Sequence, residues 1–256
     1  MKKFTKRLTM IVAILLSLVL LTSSIVSTTL AKYVVTKSAE VTATLQKFGL
    51  EVALSVNSGF STTETKKLGD TLEVTINNIK LQPGNDEPKY KNMITASITQ
   101  SATVAADLII EVTVEEDDSS NFNVLATNFK NYENCRYLPI GVCVAGTDVI
   151  TPYTKYAATD DIGDKIQTAI AAQIKNTVGG ASTNVKSVTQ TGGKIEGSIA
   201  ANQAVSVSNI GIGFYWPYEY TQVEGSNEIG TWIAKNEPTF TITYKITVQQ
   251  NADPNT

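Results

Sequence analysis

Residues 240–248 read FTITYKITV, and their alternation decides the fold. Phe240, Ile242, Tyr244, Ile246 and Val248 fall on one side of an extended chain, and Thr241, Thr243, Lys245 and Thr247 on the other. Successive side chains of a strand point to opposite faces. The pattern therefore predicts a half-buried antiparallel strand, wet on one side. The same period recurs upstream. DLIIEVTVEE (107–116) places Leu108, Ile110, Val112 and Val114 together, TLEVTINNIKL (71–81) Leu72, Val74 and Ile76, and NMITASITQ (92–100) Ile94, Ala96 and Ile98. IGIGFYW (210–216) adds Ile210, Ile212, Phe214 and Trp216, after a short AVSVS. Turn residues break these runs at QPGNDEP, DDSSN, VGGAS, TGGK, VEGSN and NADPN.

One stretch has a different period. DDIGDKIQTAIAAQIKN (160–176) sets Ile162, Ile166, Ile170 and Ile174 four residues apart, with Ala169 beside them. That spacing makes one apolar helical face. Asp160 is the expected N-cap, and Gly179–Gly180 follow the far end. Many short strands, one helix and one core predict a mainly β protein. The expected architecture is a two-sheet antiparallel β-sandwich of jelly-roll type with one α-helix inserted at about 160–177.

Near the N-terminus the phase changes. Val41, Ala43 and Leu45 are odd-numbered, whereas Phe48, Leu50, Val52, Leu54 and Val56 are even. One extra residue moves side chains to the other face, so the switch marks a bulge or a break between strands. Residues 32–46 are accordingly set apart from a sandwich domain at 47–250, with a polar tail at 251–256.

Before them stands a basic MKKFTKR, then the mostly apolar LTMIVAILLSLVLL, then the small, polar TSSIVSTTLA ending at Ala31. This is the order of a secretory signal, with Thr29 and Ala31 small enough for the −3 and −1 sites of a peptidase cutting before Lys32. Counted through Ile25 and Val26, the run approaches the roughly 20 apolar residues of a membrane span, so a retained anchor is the alternative. Basic flanking residues place the body outside in either case. LPIG at 138–141 lacks the apolar segment and basic tail of a cell-wall sorting signal and reads as a turn.

Composition narrows the chemistry. The chain has 256 residues, 42% of them apolar and 18% charged, and a net charge of −3. Of its 21 basic residues, four lie in the first 31, which leaves 17 against 24 acidic residues, or −7, in the remainder. Such a body has no electrostatic reason to seek nucleic acid or anionic lipid. There is no histidine. Serine and cysteine triads or dyads that use histidine are excluded, as is an HExxH zinc site. Carboxylate catalysis is what remains. Glu196, Glu219 and Glu224 are candidate glycosidase carboxylates, but nothing in the sequence brings a pair of them together. No cofactor is expected, and the chain reads as a non-enzyme.

Cys135 and Cys143 lie in NCRYLPIGVC. A hairpin about Pro139 would set them opposite each other, and an extracellular location would permit a bridge; two separate thiols are the other reading. EEDDSSN (115–121) lacks the spaced loop of a calcium site and reads as a solvated strand end. Asp160, Asp161 and Asp164 suit a helix start, where carboxylates favour the dipole. Tyr218, Tyr220 and Trp232 are candidate surface aromatics for stacking on a glycan, whereas Trp216 continues the alternation into the core.

TTLAKYVVTKSAEVTATLQKFGLEV (28–52), the LQPGND turn, the helix, and FYWPYEY, NEIGTWIA and TFTITYKITVQQ resemble Gram-positive secreted proteins of the TasA/camelysin-like group, which carry a SipW-type signal peptide. The resemblance covers most of the chain. Its most specific part is Trp216-Pro217-Tyr218-Glu219, then Ile229-Gly230, then Gln249. It implies a jelly-roll subunit of a cell-surface or biofilm-matrix fibre, in which the freed N-terminal strand of one copy completes the sheet of the next. Here the donor would be residues 32–45, through Tyr33, Val34, Val35, Val41, Ala43 and Leu45. Expected partners are copies of itself and cell-wall or matrix components, with the membrane involved only before cleavage. Some camelysin-type proteins are described as metalloproteases; without histidine that activity does not carry over. The alternatives are a monomeric secreted glycan- or surface-binding module and, last, a carboxylate hydrolase.

Overall fold

The computed structural model describes residues 34–37, 41–57, 63–80, 84, 88–116, 135–157, 159–208, 210–217 and 239–251. Its strands are β1 (Val34–Lys37), β2 (Val41–Lys47), β3 (Leu50–Val56), β4 (Thr63–Leu68), β5 (Thr71–Lys80), β6 (Ile94–Ser101), β7 (Ala106–Glu116) and β8 (Cys135–Leu138). Then follow β9 (Gly141–Val144), β10 (Thr147–Ile150), β11 (Thr154–Ala157), β12 (Lys186–Thr191), β13 (Lys194–Ile199), β14 (Ala204–Val207), β15 (Ile212–Tyr215) and β16 (Thr239–Gln250). A short helix α1 (Pro88–Lys91) precedes β6, and α2 (Ile162–Val178) lies between β11 and β12. Thr36–Thr256 form one compact unit. Of the other unit, Met1–Val35, only Val34 and Val35, the start of β1, are described.

Two antiparallel sheets make the sandwich. One runs β1-β4-β5-β16-β7-β13-β12 and the other β10-β9-β15-β6-β3-β2, with β14 also on β6. Within them, β5, β6, β7, β9, β10, β13, β15 and β16 form a jelly roll. Numbered one to eight along the chain, they stand in the orders 1-8-3-6 and 2-7-4-5. This is one long antiparallel ribbon rolled so that its paired strands alternate between two sheets. The β2–β3 hairpin, β4 and β12 widen the sheets beyond that ribbon.

The expected alternation holds in the core. Leu72, Val74, Ile76, Leu108, Ile110, Val112, Phe240, Ile242, Tyr244, Ile246 and Val248 of one sheet are buried against Val52, Leu54, Ile94, Ile98, Val142 and Phe214 of the other. A bulge beside Asn78, whose φ is +53°, shifts the phase of β5 and turns Ile79 inward. Thr247, expected on the wet side, is instead covered, and its hydroxyl lies 2.9 Å from that of Thr71.

The sheets touch directly where β2 and β3 meet β4 and β5 and where Phe240 of β16 packs on Phe214 of β15, ring centroids 4.7 Å apart; α2 packs on β7, β12 and β13 of one sheet and on β9 and β10 of the other. Ile162, Ile166, Ile170 and Ile174 are all buried, as their spacing requires. The N-cap is Asp161, not Asp160: the Asp164 N–H donates to Asp161 Oδ1 at 3.1 Å. Asp160 instead accepts from the Ala157 N–H and pairs with Lys165.

Candidate functional site

The phase switch near the N-terminus is a tight hairpin. Lys47 pairs with Leu50 across the two-residue turn Phe48-Gly49, with φ of +53° and +81°. Both left-handed values make a type I′ turn, which matches the twist of the flanking strands. Gly49 is required twice: its φ suits glycine, and a Cβ there would collide with the Ser101 carbonyl and sit 2.9 Å from the Thr103 nitrogen. An odd–even switch is what such a turn demands, because Leu45 must face Val52 and Ala43 must face Leu54. The expected boundary after residue 46 is therefore not a boundary of the fold. Val41–Lys47 is the first arm of a hairpin in its own sandwich, with Leu45 only 2% exposed.

The turn also dictates where the main chain of β2 points. Residues flanking a two-residue turn exchange hydrogen bonds, and bonding alternates from there. Lys47, Leu45, Ala43 and Val41 spend theirs on β3; Gln46, Thr44 and Thr42 point theirs away from it. β2 ends its sheet, so among the described residues no strand takes up that outer row. One side chain does. Lys67 of β4 donates from Nζ to the Thr44 carbonyl at 2.9 Å. A lysine on an edge strand's free carbonyl blunts unwanted strand pairing. Beside it, Leu68 is 57% exposed. Lys47 and Asp70 pair at 2.8 Å across the same end of the sandwich, and at their exposure such a pair contributes little.

A second feature occupies the outer face of the other sheet. Cross-strand register lines up Lys66, Glu73, Lys245, Glu111 and Lys194 on adjacent strands β4, β5, β16, β7 and β13. Lys66 reaches Glu73 at 3.2 Å, Lys245 reaches Glu111 at 2.5 Å, and Lys194 turns to Glu196 at 2.7 Å. The carboxylate beside Lys194 raises its pKa through that hydrogen bond. Over this row lies a cleft of about 510 Å³ lined by Glu73, Glu111, Lys194, Lys245, three threonines and Gln167 of α2, among others.

The expected site residues fare unequally. Ala31, Lys32, Tyr33, Tyr218, Tyr220, Trp232, Glu219 and Glu224 lie outside the described residues, as does EEDDSSN beyond Glu116. Val34 and Val35 begin β1, and Val41, Ala43 and Leu45 lie in β2. Trp216 is buried at 1% exposure and donates from Nε1 to the Tyr153 hydroxyl at 3.3 Å. The hairpin expected about Pro139 does not form. β8 pairs with β11, setting Cys135 opposite Ala157, while β9 pairs with β10 and β15, setting Cys143 opposite Asp148 and Gly213. Pro139, lacking an N–H, sits where the chain leaves one ladder for another. Cys143 is a free, buried thiol whose pKa is raised by burial and then by Asp148; the side chain of Cys135 is outside the described residues. Among the described residues no group of acids and cysteines could hold a metal ion, and no helix is long and apolar enough to cross a membrane.

Sequence reasoning missed Lys67 and the charged row. Alternation assigns such residues to a wet face, but which of them meet depends on strand order and register. No family model matches this chain, and no curated protein matches it.

Proposed function

We propose that this chain is a secreted structural protein of the TasA/camelysin-like kind, a subunit of cell-surface or biofilm-matrix fibres. In this reading, cleavage after Ala31 frees a leader that adds as a strand to the sheet of the next copy. The donor is the chain before Val41: β2 is committed to β3, whereas β1 is an end strand of its sheet and would leave it to pair with the next copy. The receiver is the outer row of β2. The single observation that carries the reading is that row: outward main-chain groups at Thr42, Thr44 and Gln46, held by one removable lysine.

Strand addition supplies main-chain hydrogen bonds together with alternating side-chain contacts. Residues 32–40 span about 30 Å when extended, ample for the seven residues of β2. KYVVT supplies β-branched and aromatic residues suited to a pleated surface. A head-to-tail contact that does not close on itself grows into a filament. The role needs no catalytic group and no cofactor.

The test compares protein beginning at Lys32 with protein beginning at Val41, by electron microscopy and light scattering. Fibres from the first and folded monomers from the second are expected. Equal behaviour of the two, whether fibrous or monomeric, contradicts the proposal.

A further inference from the structure

We propose that the cleft over β5, β16, β7 and β13 binds a short neutral oligosaccharide. The inference stands apart from the assembly reading, because the cleft lies on the outer face of the opposite sheet from β2.

The ligand class follows from the lining. Two carboxylates, Glu73 and Glu111, face two ammonium groups, Lys194 and Lys245, so the charged floor sums to zero. An anion or a cation would have to break an existing ion pair, such as Lys245–Glu111 at 2.5 Å. A sugar hydroxyl both donates and accepts, so it can bridge a carboxylate and an ammonium without disturbing either.

Free polar groups converge on the same space. Gln167 uses its Oε1 to accept from the Val114 N–H at 3.4 Å, and its amide nitrogen donates to no other described residue. The hydroxyls of Thr113 and Thr191 likewise bond no other described residue. A volume of about 510 Å³ falls within the usual range for small-ligand sites.

The wall is also built for closeness. Gly192 and Gly193 form the two-residue turn between β12 and β13. A Cβ on Gly193 would strike the Val112 carbonyl and sit 2.5 Å from Gln167 Cγ. Glycine there lets α2 bring Gln167 to the rim.

The test uses chito-, cello- and malto-oligosaccharides as probes against 15N-labelled protein. Saturable shifts should gather at Gly192, Gly193, Lys194 and the Gln167 side-chain amide for at least one series. Gln167→Glu keeps the acceptor for Val114 but removes the donor, and Thr113→Val keeps the shape but removes the hydroxyl. Each should weaken binding about tenfold, the loss of one hydrogen bond, while leaving oligomeric state unchanged. No saturable shift with any series, or binding that both variants leave intact, overturns the proposal.

Discussion

β16 and β2 are written in the same alternating pattern, yet they do opposite work. β16 lies between β5 and β7 and is hydrogen-bonded along both sides. β2 has β3 on one side and the Lys67 ammonium on the other. The pattern of side chains decides which face of a strand is buried. Position in the sheet decides whether its main chain is structural or available to a partner.

Proline substitution breaks this comparison most sharply. Thr243→Pro removes a ladder donor from a strand bonded on both sides and should cost about 3 kcal/mol or more. Thr44→Pro removes an N–H that points away from β3, a position an edge strand tolerates. Chemical denaturation should show the first variant unfolded or badly destabilised and the second within about 1 kcal/mol of the parent.

Core truncation gives a smaller contrast. Ile246→Ala and Leu45→Ala each delete a buried side chain, and such changes cost about 2 to 5 kcal/mol. Ile246 should lie toward the upper end, since sheet on both sides of β16 holds the cavity open, whereas an edge strand can relax into it. Denaturation midpoints at unchanged m-value check the order.

β16 also carries a buried phenol that β2 lacks. The Tyr244 hydroxyl is buried and has no hydrogen-bond partner among the described residues. Burial raises its pKa far above the ordinary phenol value. The stability linked to it is therefore fully present below the unfolded pKa of about 10 and is lost as pH rises above that value. Tyr244→Phe should remove this alkaline slope and be neutral or stabilising by about 1 kcal/mol, measured by denaturation across alkaline pH.

The smallest effect on stability belongs to Lys67→Met. It removes an exposed hydrogen bond and should change folding free energy by less than about 0.5 kcal/mol. Sedimentation should nonetheless show more self-association, since the Thr44 carbonyl loses its cover. Unchanged association would mean that Lys67 does not guard the edge.

Much of the fold was legible in the sequence because burial imposes period two on strands and a four-residue repeat on α2. Ile162 through Ile174, Tyr244 and Trp216 all went where their spacing put them. The hairpin at Phe48-Gly49 was legible only as a phase switch, since its turn type depends on two left-handed residues. The partners of Cys135 and Cys143 were not legible. A local reading pairs neighbours in sequence, whereas β8 finds its partner after β10. The candidate site was the least visible part. Lys67 reaches Thr44 only because β4 and β2, from different sheets, close the same side of the sandwich.

The central claim, that the outer row of β2 receives a strand from another copy, is tested most directly by electron microscopy of Thr44→Pro in protein beginning at Lys32. The account predicts abundant fibres from the parent and a folded, fibre-free variant. Fibres of equal abundance from both, or none from the parent, would contradict it.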